Sequence, residues 1–168
     1  IAAVSGTVAE MSALYAMTNI SGLGNEAMIF SNLSVSEANT VSSLTVGGVT
    51  ATISEGDMST LAGLTETGNA YTITVTDTSG VSASALTALA GKTTVDVNAS
   101  AVTSVTGSVS ELTALYASNS GVSGLGNEDI SLTETISVAN ANTVNSLTGG
   151  AVTAVLTTGA LSTFLGLS

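Results

Sequence analysis

An internal repeat is the feature of this sequence that most restricts its possible folds. Residues 4–53 align with residues 105–156, and both segments contain Gly-Leu-Gly-Asn-Glu, at 22–26 and 124–128. The offset between the copies is 101 at the start of the alignment and 103 near its end. The chain therefore carries about one and a half copies of a superrepeat of roughly 100 residues, and we expect residues 1–168 to form a single repeat array.

A shorter period lies inside the superrepeat. Segments rich in β-branched residues recur, most of them about 22 residues apart, and each one predicts a strand. Ile73 and Val75 alternate with threonines, and Val95 and Val97 flank Asp96 in the same manner, which predicts one buried face and one wet face. The predicted strands are Ala27–Phe30, Val49–Ile53, Tyr71–Thr76, Thr94–Val97, Ile130–Leu132 and Val152–Leu156.

Between the predicted strands, apolar residues recur at every third position, which predicts short helices with one apolar side. These stripes are Ala38, Val41 and Leu44; Met58, Leu61 and Leu64; Ala141, Val144 and Leu147; Leu161, Phe164 and Leu167. A hydroxyl three residues before a carboxylate predicts a capping box at each helix start. Such pairs are Thr7 with Glu10, Ser34 with Glu37, Ser108 with Glu111 and, in a weaker form, Ser54 with Asp57. Gly91 and Gly149 predict left-handed C-terminal caps.

The predicted fold class is therefore α/β. We expect a strand-helix solenoid with a parallel sheet on one side and short helices on the other, with about 22 residues per unit. A unit of that size cannot bury both apolar faces alone, so neighbouring units must stack. Ala, Val and Leu suit such a narrow interior, and the absence of Pro leaves every strand N–H free to pair.

Two resemblances support this interpretation. The strand-then-helix order resembles leucine-rich repeats, as in Thr-Val-Asp-Val-Asn-Ala-Ser-Ala-Val at 94–102, although the dense leucine pattern of that family is missing. A closer resemblance covers nearly the whole chain. Thr-Gly-Ser-Val-Ser-Glu-Leu-Thr-Ala-Leu-Tyr at 106–116 and Ile-Ser-Gly-Leu-Gly-Asn-Glu at 20–26 are similar to repeats of giant secreted bacterial surface proteins, particularly those of cyanobacteria. The first resemblance implies an architecture, and the second implies a surface, filament or adhesin role.

The charge balance excludes several classes of partner. Lys92 is the only cationic side chain, against 12 carboxylates and a net charge of −11. Nucleic-acid binding depends on Lys and Arg that neutralise phosphates, so we expect no nucleic-acid partner. No apolar run approaches the roughly 18 residues that span a bilayer, so we expect no membrane insertion. Abundant Ser and Thr with scarce Lys and Arg are typical of bacterial extracellular repeats, which predicts a secreted or cell-surface location.

The two ends of the sequence indicate the expected partners. The chain begins at Ile1 without Met or a basic start, so we expect a processed product or an excised fragment. Neither Ile1 nor the apolar stretch 164–167 has an obvious polar cap. The expected partners are therefore neighbouring repeats or identical subunits that meet end to end.

The residue types present argue against an enzyme. His, Cys and Arg are absent, and the only carboxylate pairs close in sequence are Glu55 with Asp57 and Glu128 with Asp129. A helix cap for Asp57 and solvated turn carboxylates for the others account for these residues without chemistry. The predicted function is a non-enzymatic extracellular structural repeat that forms part of a fibre, stalk, filament or adhesin.

The alternative function is a ligand-binding module for calcium or a glycan on a secreted surface protein. The Gly-Leu-Gly-Asn-Glu loops carry hard oxygen ligands, and the calcium candidates are Asn25, Glu26, Asn127, Glu128 and Asp129. A plain turn with left-handed glycines, in which Asn bonds its own backbone, is the favoured interpretation of these loops, so no cofactor is expected beyond possible calcium. Ice binding by the threonine rows at 50–52 and 72–76 is a third alternative. Tyr15 and Tyr116 are predicted to pack in the core or at its rim, and Lys92 to be a lone turn charge.

Overall fold

The computed structural model describes residues 2–159 and 161–167, without the side chains of Leu161 and Ser162. The chain divides into two compact units. Unit 1 comprises Ile1–Thr74 with Leu89–Val97, and unit 2 comprises Val75–Ala88 with Asn98–Ser168. The predictions made for Ile1 and for the Leu161 side chain fall outside the described residues.

Short strands and short helices follow one another along the chain, with two strands in succession at three places. The strands are β1 (Ala3–Ser5), β2 (Ala27–Leu33), β3 (Val49–Ile53), β4 (Ala70–Thr72), β5 (Val81–Ser82), β6 (Val97–Asn98), β7 (Ser104–Gly107), β8 (Val122–Ser123), β9 (Asp129–Ile136) and β10 (Val152–Leu156). The helices are α1 (Val8–Tyr15), α2 (Val35–Ser42), α3 (Met58–Leu61), α4 (Ala83–Ala90), α5 (Val109–Leu115), α6 (Val138–Asn145) and α7 (Leu161–Phe164).

The sheet of unit 1 is parallel, with the strand order β1-β2-β3-β4. Met28 of β2 pairs with Val49 of β3, and Ala51 of β3 pairs with Tyr71 of β4. Inward side chains of the strands and helices make the core of this unit, because alternate strand residues face one side. The largest fully buried apolar ones are Met28, Leu33, Val41, Val49, Leu61, Tyr71 and Ile73.

Unit 2 repeats this arrangement with the strand order β10-β9-β7-β5, again parallel. Val105 of β7 pairs with Val81 on one side and with Ile130 on the other, and Ile130 pairs with Val152. Strands β6 and β8 form a separate two-stranded sheet. The core of unit 2 includes Val75, Leu86, Val105, Leu112, Leu115, Ile130, Ile136 and Val144.

The predicted α/β class with parallel strands is confirmed, whereas the predicted strand bounds hold only in part. Val49–Ile53 and Val152–Leu156 are strands as predicted. The strands at Ala27 and Ile130 run further, and those at Tyr71 and Thr94 are reduced to short segments. Sequence patterning missed four strands, β1, β5, β7 and β8, which are too short or too polar to stand out.

The expected burial alternation around Asp96 is wrong for one residue. Val97 is fully buried, but Val95 is 40% exposed. The reason is local, because Val95 lies in a bend that precedes the short strand, where its N–H donates to the Thr93 hydroxyl at 3.1 Å. By contrast, Ile73 and Val75 are buried between exposed threonines as predicted.

The helix starts follow the sequence closely. Thr7, Ser34 and Ser108 are N-caps of complete capping boxes. The box predicted between Ser54 and Asp57 is wrong, since Asp57 is itself the N-cap of α3 and accepts from the Thr60 N–H at 2.8 Å. This agrees with the simpler prediction of a helix cap for Asp57.

The predicted helix ends are wrong. The glycines with positive φ do not include Gly91 or Gly149. Helix α2, for example, ends on Ser43 in the right-handed region, with no left-handed residue. None of the helices in the described part of the chain is long and apolar enough to cross a bilayer.

Candidate functional site

The two Gly-Leu-Gly-Asn-Glu loops each bury a glutamate. Glu26 is 0% exposed and Glu128 is 3% exposed, whereas Asn25, Asn127 and Asp129 lie at the surface. An ionised carboxylate loses its hydration on burial, so a buried one needs hydrogen-bond donors in place of water. Among the described residues, the buried carboxylates therefore lie in these two loops.

In the first loop, the carboxylate closes its own turn. Oε2 of Glu26 accepts from the Gly24 N–H at 2.8 Å and from the Tyr15 hydroxyl at 2.5 Å. Gly22 and Gly24 have φ values of 82° and 120°, a region that L-residues with a side chain rarely adopt. The predicted left-handed glycines are confirmed, but here the glutamate rather than the asparagine ties the loop to its backbone.

The second loop repeats this geometry. Oε2 of Glu128 accepts from the N–H groups of Gly126 and Asn127 at 2.7 and 3.2 Å, and Oε1 accepts from Gly126 at 3.0 Å. The Tyr116 hydroxyl donates to Oε1 of the same carboxylate. Tyr15 and Tyr116 hold equivalent positions in the two copies, so the Tyr–Glu pair belongs to the repeat.

Burial and hydrogen bonding shift pKa values in these Tyr–Glu pairs. The Tyr15 hydroxyl, followed by the Gly24 N–H, stabilises the ionised form of Glu26 and lowers the pKa of that carboxyl. Burial, followed by the hydrogen bond to Glu26, raises the pKa of Tyr15 to about 12. Burial and Glu128 likewise raise the pKa of Tyr116. At neutral pH both tyrosines are therefore donors.

The backbone of each buried glutamate is held by the strand-connecting segment that follows. Thr45 donates its hydroxyl to the Glu26 carbonyl at 2.8 Å, and Thr148 does the same to Glu128 at 2.7 Å. A Cβ on Gly47 would lie 2.3 Å from the Glu26 carbonyl oxygen, which is closer than any side chain allows. Each loop therefore contacts the following segment so closely that only glycine fits at the point of contact.

The calcium candidates are not gathered into one cluster. Among the described residues, no group of three or more Asp, Glu, His or Cys side chains is placed to hold a metal ion. The Asp129 carboxylate accepts from the Ala151 N–H at 2.8 Å. Oε1 of Glu26 is buried without a hydrogen-bond partner. Calcium binding by these residues stays a prediction.

The remaining carboxylate pair has backbone partners as well. Glu55 accepts from the Val35 N–H at 3.1 Å at the start of α2, and Asp57 caps α3. These carboxylates satisfy free N–H groups of first helical turns, where negative charge is favourable. Lys92 donates to the Thr65 carbonyl at 3.0 Å.

The structure also contains a surface feature that the sequence did not indicate. An apolar groove of about 210 Å³ lies in unit 2 between α6 and the outer strand β10. Its lining includes Ala141, Asn145, Val152, Ala154, Leu156 and Leu167. Of the predicted outward threonine rows, only Thr52 and Thr72 are paired in register, and both are exposed, whereas Thr50 pairs with Ala70.

The sequence identified the two loops but not the hydrogen bonds between their glutamates and the tyrosines. Tyr15 and Tyr116 are only partly buried, and their hydroxyls face the glutamates 11 and 12 residues further along the chain. The one usable signal was that both members recur together in the two copies. No known protein family matches this sequence, and no curated protein is significantly similar to it.

Proposed function

We propose that this chain is a segment of an extracellular strand-helix solenoid with a structural role in a fibre, stalk, filament or adhesin. The observation that carries the proposal is the spacing of paired strands within each unit. In unit 1, Val4 pairs with Met28 and Met28 with Val49, so one short period of the sequence separates each paired position from the next. Such regular parallel pairing is typical of stacked repeat units.

The spacing in unit 2 gives the same support. Val81 pairs with Val105, Val105 with Ile130 and Ile130 with Val152, again with one short period between successive partners. In both units this period is roughly 20–25 residues, a range typical of the shorter solenoid repeats, and the predicted unit length lies inside it. A unit of this length cannot bury its apolar side alone, so stacking on its neighbours stabilises it.

The use of the polar residues also supports a structural role. The buried carboxylates close loops, and Glu10, Glu37 and Glu111 complete capping boxes. The carboxylates that make these hydrogen bonds therefore stabilise the fold. The net charge of −11 keeps such an array soluble outside the cell.

Immunogold electron microscopy of intact source cells tests the proposal. Antibodies raised against this chain should label extended structures on unpermeabilised cells, and pre-incubation with the soluble chain should remove the label. Label that appears only after permeabilisation would contradict an extracellular role. Label on dispersed globular particles would favour the binding module instead.

A further inference from the structure

The groove beside β10 has a close counterpart in the first superrepeat copy. Six of the seven lining residues map onto unit 1 residues through the offset of 103: Ala141, Asn145, Val152, Ala154, Leu156 and Leu167 correspond to Ala38, Ser42, Val49, Ala51, Ile53 and Leu64. Five of these six pairs are identical or exchange Ile for Leu, and the sixth replaces Ser by Asn. The two surfaces therefore have nearly the same chemistry.

The backbone framework around the two surfaces is the same as well. The Asn39 side chain donates to the Gly63 carbonyl at 2.7 Å, and Asn142 donates to Gly166 at 2.7 Å. Strand β3 pairs with β2 in the register that β10 adopts with β9, including the shift in the middle of each pair. What occupies the unit 1 surface is therefore a direct guide to what fits the groove in unit 2.

In unit 1 the surface is filled by Tyr71. This residue pairs with Ala51 across the parallel strands, is 1% exposed, and donates its hydroxyl to the Ala38 carbonyl at 3.4 Å. The same segment supplies Asn69, whose side-chain oxygen accepts from the Val49 N–H at 2.9 Å. An extended strand with an inward tyrosine therefore covers the apolar surface beside β3 and also bonds to the edge of that strand.

Residues of unit 2 that correspond to buried residues of unit 1 are more exposed. Leu64 is 2% exposed, whereas its counterpart Leu167 is 49% exposed. Val49, Ala51 and Ile53 are buried, but the equivalent residues of β10 are only half-buried. The groove volume of about 210 Å³ exceeds the roughly 150 Å³ in which an apolar cavity can hold a benzene ring.

We infer that this groove is a tyrosine socket that receives one strand of a further repeat unit. The strand adds parallel to β10, with its tyrosine opposite Ala154 and the hydroxyl directed to the Ala141 carbonyl. Strand addition of this kind takes affinity from the backbone and specificity from the inward side chains. The inference rests on the proposed stacking of units and identifies the residue type by which the next unit is recognised.

A second copy of this chain is a poorer occupant. Its own Tyr71 is already buried in unit 1. Its outer strand β1 presents Val4 at the inward position, and a valine leaves most of a ring-sized socket empty. Self-association through β1 is therefore an outcome that the experiment must detect, not the expected one.

The test uses the 168-residue chain and a synthetic peptide with the sequence of residues 65–76, Thr-Glu-Thr-Gly-Asn-Ala-Tyr-Thr-Ile-Thr-Val-Thr. Binding is measured by NMR titration of the isotope-labelled chain at concentrations where sedimentation shows a monomer. We expect saturable shifts that map to β10, α6 and Leu167. The peptide with Tyr71→Ala should bind at least about tenfold more weakly, because it lacks the buried ring.

Variants of the chain provide the matched control. Ala154→Glu places a charge where the ring packs and should abolish binding, whereas Thr153→Glu, on the exposed face of the same strand, should leave it unchanged. Because the peptide variant leaves the chain intact, the result does not depend on how well Ala154→Glu folds. Equal binding of both peptides, shifts elsewhere, or self-association that blocks the groove would overturn the inference.

The two proposals fail separately. Peptide binding at the groove, together with antibody label inside the cells, would contradict only the extracellular role. Surface label on extended structures, together with equal binding of both peptides, would contradict only the tyrosine socket.

Discussion

Among the described residues, no cationic side chain pairs with the two buried carboxylates. The only Lys bonds to the Thr65 carbonyl, and Glu26 and Glu128 rely instead on tyrosine hydroxyls and loop N–H groups. Hydrogen bonds to an ionised acceptor are shorter and about twice as strong as neutral ones, which suits an interior without positive charge. The pairs explain why tyrosine is kept in both copies of a sequence that is only 3% aromatic.

We predict that Tyr116→Phe destabilises the protein without changing its fold. The substitution removes the hydroxyl donor to Glu128 and leaves that carboxylate buried with one donor fewer. Loss of a hydrogen bond to a charged group corresponds to about 1.5–3 kcal/mol in the free energy of unfolding. Urea unfolding followed by circular dichroism measures the change.

A double-mutant cycle with Glu128→Gln separates this bond from general packing. If the hydroxyl acts through the carboxylate, Tyr116→Phe should have a smaller effect in the Gln background than in the native one. Equal effects in both backgrounds would show that the tyrosine contributes through its ring alone. Tyr15→Phe should be destabilising in the same direction through Glu26.

At the scale of secondary-structure elements, the sequence predicted where helices begin better than where they end. The N-cap residues Thr7, Ser34 and Ser108 lie next to the helices that they cap, so four consecutive residues of sequence contain the whole interaction. Strand bounds depend on pairing with distant segments. Strand β7, for example, reads Ser-Val-Thr-Gly and becomes a strand because β5 and β9 pair with it on either side. Only tertiary structure contains that information.

The capping boxes predict a loss of stability in acid. Backbone and side-chain bonds from Thr7, Ser34 and Ser108 lower the pKa of Glu10, Glu37 and Glu111 below the ordinary value of 4.5. A carboxyl whose pKa is lower in the folded state contributes stability above its unfolded pKa, and that contribution disappears as pH falls through the folded value. We therefore expect the melting temperature to decrease as the pH is lowered below about 4.5.

Calorimetric scans between pH 7 and pH 2.5 measure this effect. Protonation also relieves repulsion among the 12 carboxylates, which acts in the opposite direction. The variant Glu111→Gln isolates the box, because it has no charge to lose there. Its deficit relative to the native chain should shrink as the pH falls, and a constant deficit would contradict the assignment.

At the scale of the whole molecule, the period in the sequence predicted the parallel α/β class, because repeated units of one kind have few ways to cover each other. It could not predict the groove. The residues that line it are ordinary core residues by pattern, and only their half-burial beside β10 distinguishes them from Val49 and its neighbours. Similarly, the glutamates were found as loop residues, but their burial follows from the tyrosines that the fold brings to them.

This engagement of the loop carboxylates leads to a prediction about calcium. A calcium ion takes six to eight oxygen ligands, and each loop offers one glutamate whose oxygens, except Oε1 of Glu26, already accept hydrogen bonds. We expect calcium to change the melting temperature no more than magnesium does at the same ionic strength. A specific site would instead stabilise the chain by about 2.7 kcal/mol at a calcium concentration one hundred times its Kd.

Paired thermal scans with calcium and magnesium decide the matter, because screening of the net charge is common to both ions whereas coordination is not. A rise specific to calcium that Glu26→Gln removes would place a cation at the open oxygen of that carboxylate. The exposed Glu66 serves as the control position, since Glu66→Gln changes the net charge by the same amount away from the loop. Equal loss of the rise in both variants would indicate diffuse attraction of the cation by the acidic surface, and no rise at all would leave the glutamates with the structural role that their hydrogen bonds describe.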